Sequence, residues 1–89
     1  MPTEKDVAQW MYQQVMKTSY FYQEIAVVNI KRFFGNDFVY TNENGNLAIS
    51  PKVLREFKKL TGDAVVWERG DKCWRKRQHY DDSTKRIQD

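Results

Sequence analysis

Along this 89-residue chain, apolar residues recur every three to four positions in three stretches and alternate in two others. That pattern predicts three helices and two β-hairpins. The best-marked helix runs from Ser50 to Gly62. Val53, Leu54, Phe57 and Leu60 stack on one side of it, and Lys52, Arg55, Lys58 and Lys59 take the remaining surface. Both ends carry signals: Ser50 offers an N-cap oxygen, Pro51 suits a first position whose N–H has no partner, and Gly62 permits a left-handed stop.

Upstream, a helix is expected from about Thr3 to Lys17. Thr3 lies three residues before Asp6, a variant capping-box spacing, and Val7, Met11 and Val15 form a stripe widened by Ala8, Trp10 and Tyr12. Thr18 to Tyr22 breaks the period and reads as a connector or a short extended segment. From Gln23 to Phe34, the residues Ile25, Ala26, Val28, Ile30, Phe33 and Phe34 fill more than one helical face, so this helix is expected to be the most buried. Gly35 ends it.

Phe38 to Thr41 and Leu47 to Ile49 flank Asn42-Glu43-Asn44-Gly45-Asn46. Asn-Gly marks a tight hairpin because both residues tolerate positive φ, and a turn centred on it would set Tyr40 opposite Ile49 and Asn42 opposite Leu47. A second hairpin is expected over Ala64 to Arg77 with its turn at Gly70-Asp71. Counting outward opposes Glu68 to Cys73, Trp67 to Trp74 and Val66 to Arg75, which gathers both indoles and Val65 on the inner face. Glu68, Arg75 and Arg77 then belong to the other face, which should meet water or a partner. From Gln78 the chain is polar except for Tyr80 and Ile87. The expected organisation is α+β in the order α-α-ββ-α-ββ, a single compact domain over residues 3–77 followed by a polar, flexible tail over 78–89.

Composition adds three points. The thirteen aromatics, three Trp, five Tyr and five Phe, can fill a small core without disulfides, and the lone Cys73 excludes an internal bridge. A reducing, cytoplasmic setting is the default, and no apolar run suits a membrane span or signal peptide. The net charge of +3 is uneven. Residues 1–49 hold four Lys/Arg against five Asp/Glu, residues 50–77 nine against four, and residues 78–89 two against three. Such a local excess suits a polyanion, although solvated faces also carry it.

Two resemblances follow from these residues. Phe21-Tyr22-Gln23 with Ala26, Phe34-Gly35, the segment from Phe38 to Ile49, and Val65 to Gly70 with Trp74-Arg75 resemble a family of small uncharacterised bacterial proteins, some encoded in mobile integron gene cassettes. That resemblance implies no activity, cofactor or catalytic residue. More distantly, a basic helix followed by a basic hairpin is similar to a winged helix, whose third helix enters the major groove. It implies a recognition face of Lys52, Arg55, Lys58 and Lys59 and a wing of Arg69, Lys72, Arg75, Lys76 and Arg77. The pattern departs in one place, since about 14 residues and a predicted hairpin separate Phe34 from Ser50 where winged helices have a short turn.

Catalytic chemistry finds little support. His79 is the single histidine and falls in the expected tail, Asp81-Asp82 is an adjacent pair without a defined separation, and Arg69-Gly70-Asp71 is explained as a turn. Cys73 has Lys72 and Arg75 nearby to lower its pKa but no base in view. The expectation is a non-enzyme without cofactor or metal. Two functions stay open: nucleic-acid binding through residues 50–62 and 64–77, with Arg55 the best base reader, or a protein-interaction or self-associating module. The second would use exposed aromatics such as Tyr20, Phe21, Tyr22 and Tyr40 and allows a homodimer.

Overall fold

Thr3 starts the first helix as its spacing predicts. Its hydroxyl accepts from the Asp6 N–H at 3.3 Å and its own N–H donates to the Asp6 carboxylate at 2.8 Å, so two otherwise orphaned donors are satisfied at the head of α1 (Glu4–Lys17). The computed structural model describes residues 1–78 and 87–88. After α1 come β1 (Phe21–Tyr22), α2 (Gln23–Phe34), a single 3-10 turn (Asn36–Phe38), β2 (Val39–Thr41), β3 (Leu47–Ile49), α3 (Pro51–Thr61), β4 (Val65–Glu68), β5 (Cys73–Lys76) and β6 (Ile87–Gln88). The architecture is α+β with three helices and small sheets. The tail expected over 78–89 falls mostly outside the described residues; of it, Ile87–Gln88 runs parallel to β4, with Ile87 opposite Trp67.

The second hairpin keeps the register read from its sequence: Val66 opposes Arg75, Trp67 opposes Trp74 and Glu68 opposes Cys73. Its loop is four residues rather than two, however, and the left-handed residue is Lys72 (φ 53°), not Gly70 or Asp71. Four and two have the same parity, so the inner face is unchanged. Beyond the hairpin, the extended segment after α1 supplies β1, which pairs with β5 through Phe21 and Trp74. The resulting sheet has the order β1-β5-β4-β6.

The first hairpin slips by one residue. Tyr40 opposes Ala48 rather than Ile49, and Val39 opposes Ile49. Its loop is closed by the Gly45 N–H on the Asn42 carbonyl at 2.9 Å, while the Asn42 side chain accepts from the N–H groups of Asn44 and Asn46 at 3.0 Å each. Gly45 alone takes positive φ, 83°, and Asn44 does not. A three-residue loop avoids placing a side-chain-bearing residue in the left-handed region, and it costs the expected register.

One core joins these parts. Val7, Met11 and Val15 of α1 meet Val53 and Phe57 of α3, and the sheet adds Phe21, Val65 and Trp74. An aromatic chain runs through it, with Trp74 5.5 Å from Phe57 and 6.1 Å from Phe21, and Trp10 5.8 Å from Phe21 and 5.9 Å from Phe34. On α3 the buried positions are Val53, Phe57 and Thr61, with Thr61 donating to the Phe57 carbonyl; Leu60, placed on the apolar face by its spacing, lies at the open edge beside α1.

Helix α2 corrects another expectation, because it is not the most buried. Ala26, Val27 and Ile30 are enclosed, but Ile25, Val28 and Phe33 are exposed. The helix packs by one side on β2, β3 and the 3-10 turn, and among the described residues no layer covers its other side.

Candidate nucleic-acid interface

Ser50 caps α3 by accepting from the Lys52 N–H at 3.3 Å, Pro51 fills the first helical position, and Gly62 (φ 53°) closes the other end. The helix buries Val53, Phe57 and Thr61, so the spacing turns Lys52, Arg55, Lys58 and Lys59 outward together, and all four are exposed. Lys59 is bonded to Glu56 at 3.2 Å, an exposed pair worth little in stability that partly cancels one charge. Three cations on this face carry no such pair among the described residues.

The hairpin cations are not brought to the same place. Arg69 and Lys72 stand in the β4–β5 loop, where Lys72 lines a cleft with Tyr22, Asn42 and Leu47; Lys76 lines a different depression with Lys17 and Tyr20. Lys52 and Arg55 line a third with Glu4 and Lys5. Arg77 is half-buried and its Nε donates to the Asp63 carbonyl.

Arg75 departs most from its predicted role. The face of the hairpin expected to meet water is enclosed: Val66 and Cys73 are buried, and Arg75 is only 7% exposed. Its Nε and Nη2 donate to one Glu68 oxygen at 3.0 and 2.7 Å, and Nη1 donates to the Lys76 carbonyl at 3.3 Å. The guanidinium is enclosed and pairs with a half-buried carboxylate.

Cys73, on the same enclosed face, has its thiol pushed above the ordinary value of 9.0, first by burial and then by the Glu68 and Asp71 carboxylates, with Arg75 pulling weakly the other way. The lowering expected from neighbouring cations is outweighed, so the thiol stays protonated at neutral pH. His79, Tyr80 and the Asp81-Asp82 pair lie outside the described residues. Among those described, no group of three or more His, Cys, Asp or Glu side chains could hold a metal ion, and no helix is long and apolar enough to cross a membrane.

Of the aromatics proposed as an interface, Tyr20, Tyr22 and Tyr40 are exposed, but Phe21 is a core residue at 5% exposure. Sequence reasoning missed the exposure of Ile25, Val28 and Phe33 on α2, of which Ile25 and Val28 lie on its outer side and Phe33 stands at the edge next to Trp10. Their signal was present, in apolar positions too numerous for one helical face.

The fold and its surfaces define a small α+β domain in which a four-stranded sheet, β1-β5-β4-β6, is bound to a helical layer that presents a cationic helix. The chain belongs to a family of unknown function (DUF6953), whose model matches residues 3–76. No curated protein and no solved structure matches the chain significantly.

Proposed function

We propose that the domain binds nucleic acid through the outward side of α3, with contacts to phosphate supplying most of the affinity. The observation that carries this reading is the grouping of Lys52, Arg55, Lys58 and Lys59 on the exposed side of one capped helix. The winged-helix comparison gains support from β1, which ties the β4–β5 hairpin to the start of α2. Against it stands the β2–β3 hairpin, inserted where that fold has a short turn. Arg69, Lys72 and Lys76, all exposed, are the wing residues left to this reading, and Arg55 is its best base reader. The protein would act in the bacterial cytoplasm, as a binding module without catalysis or cofactor, and the likeness to integron-cassette proteins belongs to the same reading.

Titrating labelled duplex DNA, single-stranded DNA and RNA at several salt concentrations tests it. Each phosphate contact should lower the logarithm of affinity by about 0.9 per tenfold rise in salt, so replacing Lys52, Arg55 and Lys58 together by Ala should flatten the slope by about 2.7. If no form binds tighter than about 100 μM at roughly 50 mM salt, below ordinary non-specific association, α3 carries only a solvated face.

A second reading, a protein-interaction or self-associating module, is favoured by one observation: Ile25, Val28 and Phe33 stand exposed on the same helix, with Tyr22 beside them and Tyr20 and Tyr40 also at the surface. Binding by that surface should be nearly independent of salt, which separates it from the first.

A further inference from the structure

We propose that the cleft where the head of α2 meets the β2–β3 hairpin and the β4–β5 loop binds a small zwitterion, an α-amino acid with an apolar side chain. The proposal goes beyond nucleic-acid binding and needs nothing from the outward side of α3.

The cleft has a volume of about 540 Å³, within the range of small-molecule sites. Backbone bonds tie its walls in place. The Gln23 N–H donates to the Lys72 carbonyl at 2.9 Å, which joins the β4–β5 loop to α2, and the Asn42 N–H donates to the Asn46 carbonyl at 2.8 Å across the hairpin loop. Val27 and Ala48 are buried in its lining, Leu47 is half-buried, and Tyr22 stands exposed beside them. Apolar surface of this kind takes a hydrocarbon side chain.

Charge defines the other half of the ligand. Glu24, Asp71 and Lys72 line the same cleft, all three exposed, and among the described residues they form no ion pair, with one another or with any other side chain. Opposite charges that share a cleft without meeting leave a gap that a ligand carrying both signs can bridge. Its ammonium has three donors to share between the two carboxylates, and its carboxylate accepts from Lys72 Nζ. A simple anion would face two carboxylates, and a simple cation would face the lysine. Asn42 supplies a further donor for the ligand carboxylate. Its side-chain oxygen accepts from the Asn44 and Asn46 N–H groups at 3.0 Å each, which sets the orientation of the amide, and its NH2 has no acceptor among the described residues.

Amide chemical-shift titration by NMR, on the full chain at neutral pH, tests this with L-leucine. Glycine, L-leucinamide and N-acetyl-L-leucine are the companion probes, lacking the side chain, the carboxylate and the ammonium in turn. An open cleft and a ligand of about nine non-hydrogen atoms give an expected dissociation constant of about 0.1–1 mM for leucine, and each companion should bind about tenfold weaker or worse. The shifts should fall on Gln23, Leu47, Lys72 and their neighbours. Lys72→Gly, at a backbone position (φ 53°) that glycine accepts freely, should weaken leucine about tenfold and leave leucinamide no weaker. Glu24→Gln with Asp71→Asn should weaken leucine by as much and leave N-acetyl-leucine no weaker. All three substituted residues are exposed, and circular dichroism melts check that each variant is folded. Leucine binding weaker than about 10 mM, or shifts that map to another surface, overturns the proposal. So does a companion probe that binds as tightly as leucine, substitutions without effect, or a cleft that takes glucose and not leucine.

Discussion

The indole rings of Trp67 and Trp74 lie 4.8 Å apart, tilted by 52°, across the β4–β5 pair. The two are not equivalent. Trp74 is 6% exposed and touches Phe21 and Phe57 as well, whereas Trp67 is half-buried and lies at the margin of the core.

Trp74→Ala should therefore cost about 3–5 kcal/mol and Trp67→Ala clearly less, because only the first leaves a cavity enclosed on all sides. Urea unfolding of the two variants gives both numbers. Equal losses, or a loss below about 1 kcal/mol for Trp74, would contradict the packing described.

Arg75 and Glu68 form a part-buried ion pair, so mutation there should affect folding rather than binding. Arg75→Ala strands the Glu68 carboxylate and should cost about 2–4 kcal/mol; Arg75→Met with Glu68→Gln, which removes both charges and retains bulk, should recover most of it. Chemical denaturation measures the losses. The salt slope of any polyanion binding should be the same in the recovered double variant as in the wild type, in contrast to substitutions on α3.

Cys73 supplies a test in pH. Its thiol is raised in the folded state, so between the unfolded value near 9.0 and the higher folded value the native chain holds a proton that the unfolded chain has lost. Stability from this group is therefore complete below the unfolded pKa and declines as pH rises through it and beyond. Cys73→Val should lose less stability than the wild type between about pH 8 and 10, as followed by thermal melts, with the other titrating groups common to both. Identical slopes would mean that the thiol is not buried. Alkylation of the native wild type should also be slower than that of the unfolded chain.

The chain's local signals were sufficient for its three helices and two hairpins. Thr3 with Asp6, Ser50-Pro51 and Gly62 mark helix ends by chemistry that acts over three or four residues, and the alternation around Trp67 and Trp74 carries the register of the second hairpin whether its loop holds two residues or four. What required distant parts of the chain was decided by the tertiary structure. Phe21 became a core strand residue only because β5 offered it an edge and Trp10 and Trp74 a place to pack. The first hairpin moved by one residue because Asn42 could bond two backbone N–H groups and leave the left-handed conformation to Gly45, a choice between near-equal turns that Asn-Gly alone does not make. Periodicity identified Ile25, Val28 and Phe33 as apolar but not as exposed, and it identified Arg75 as charged but not as enclosed. Whether a residue is buried depends on which other layers reach it, and a small domain buries only part of the surface that its elements present.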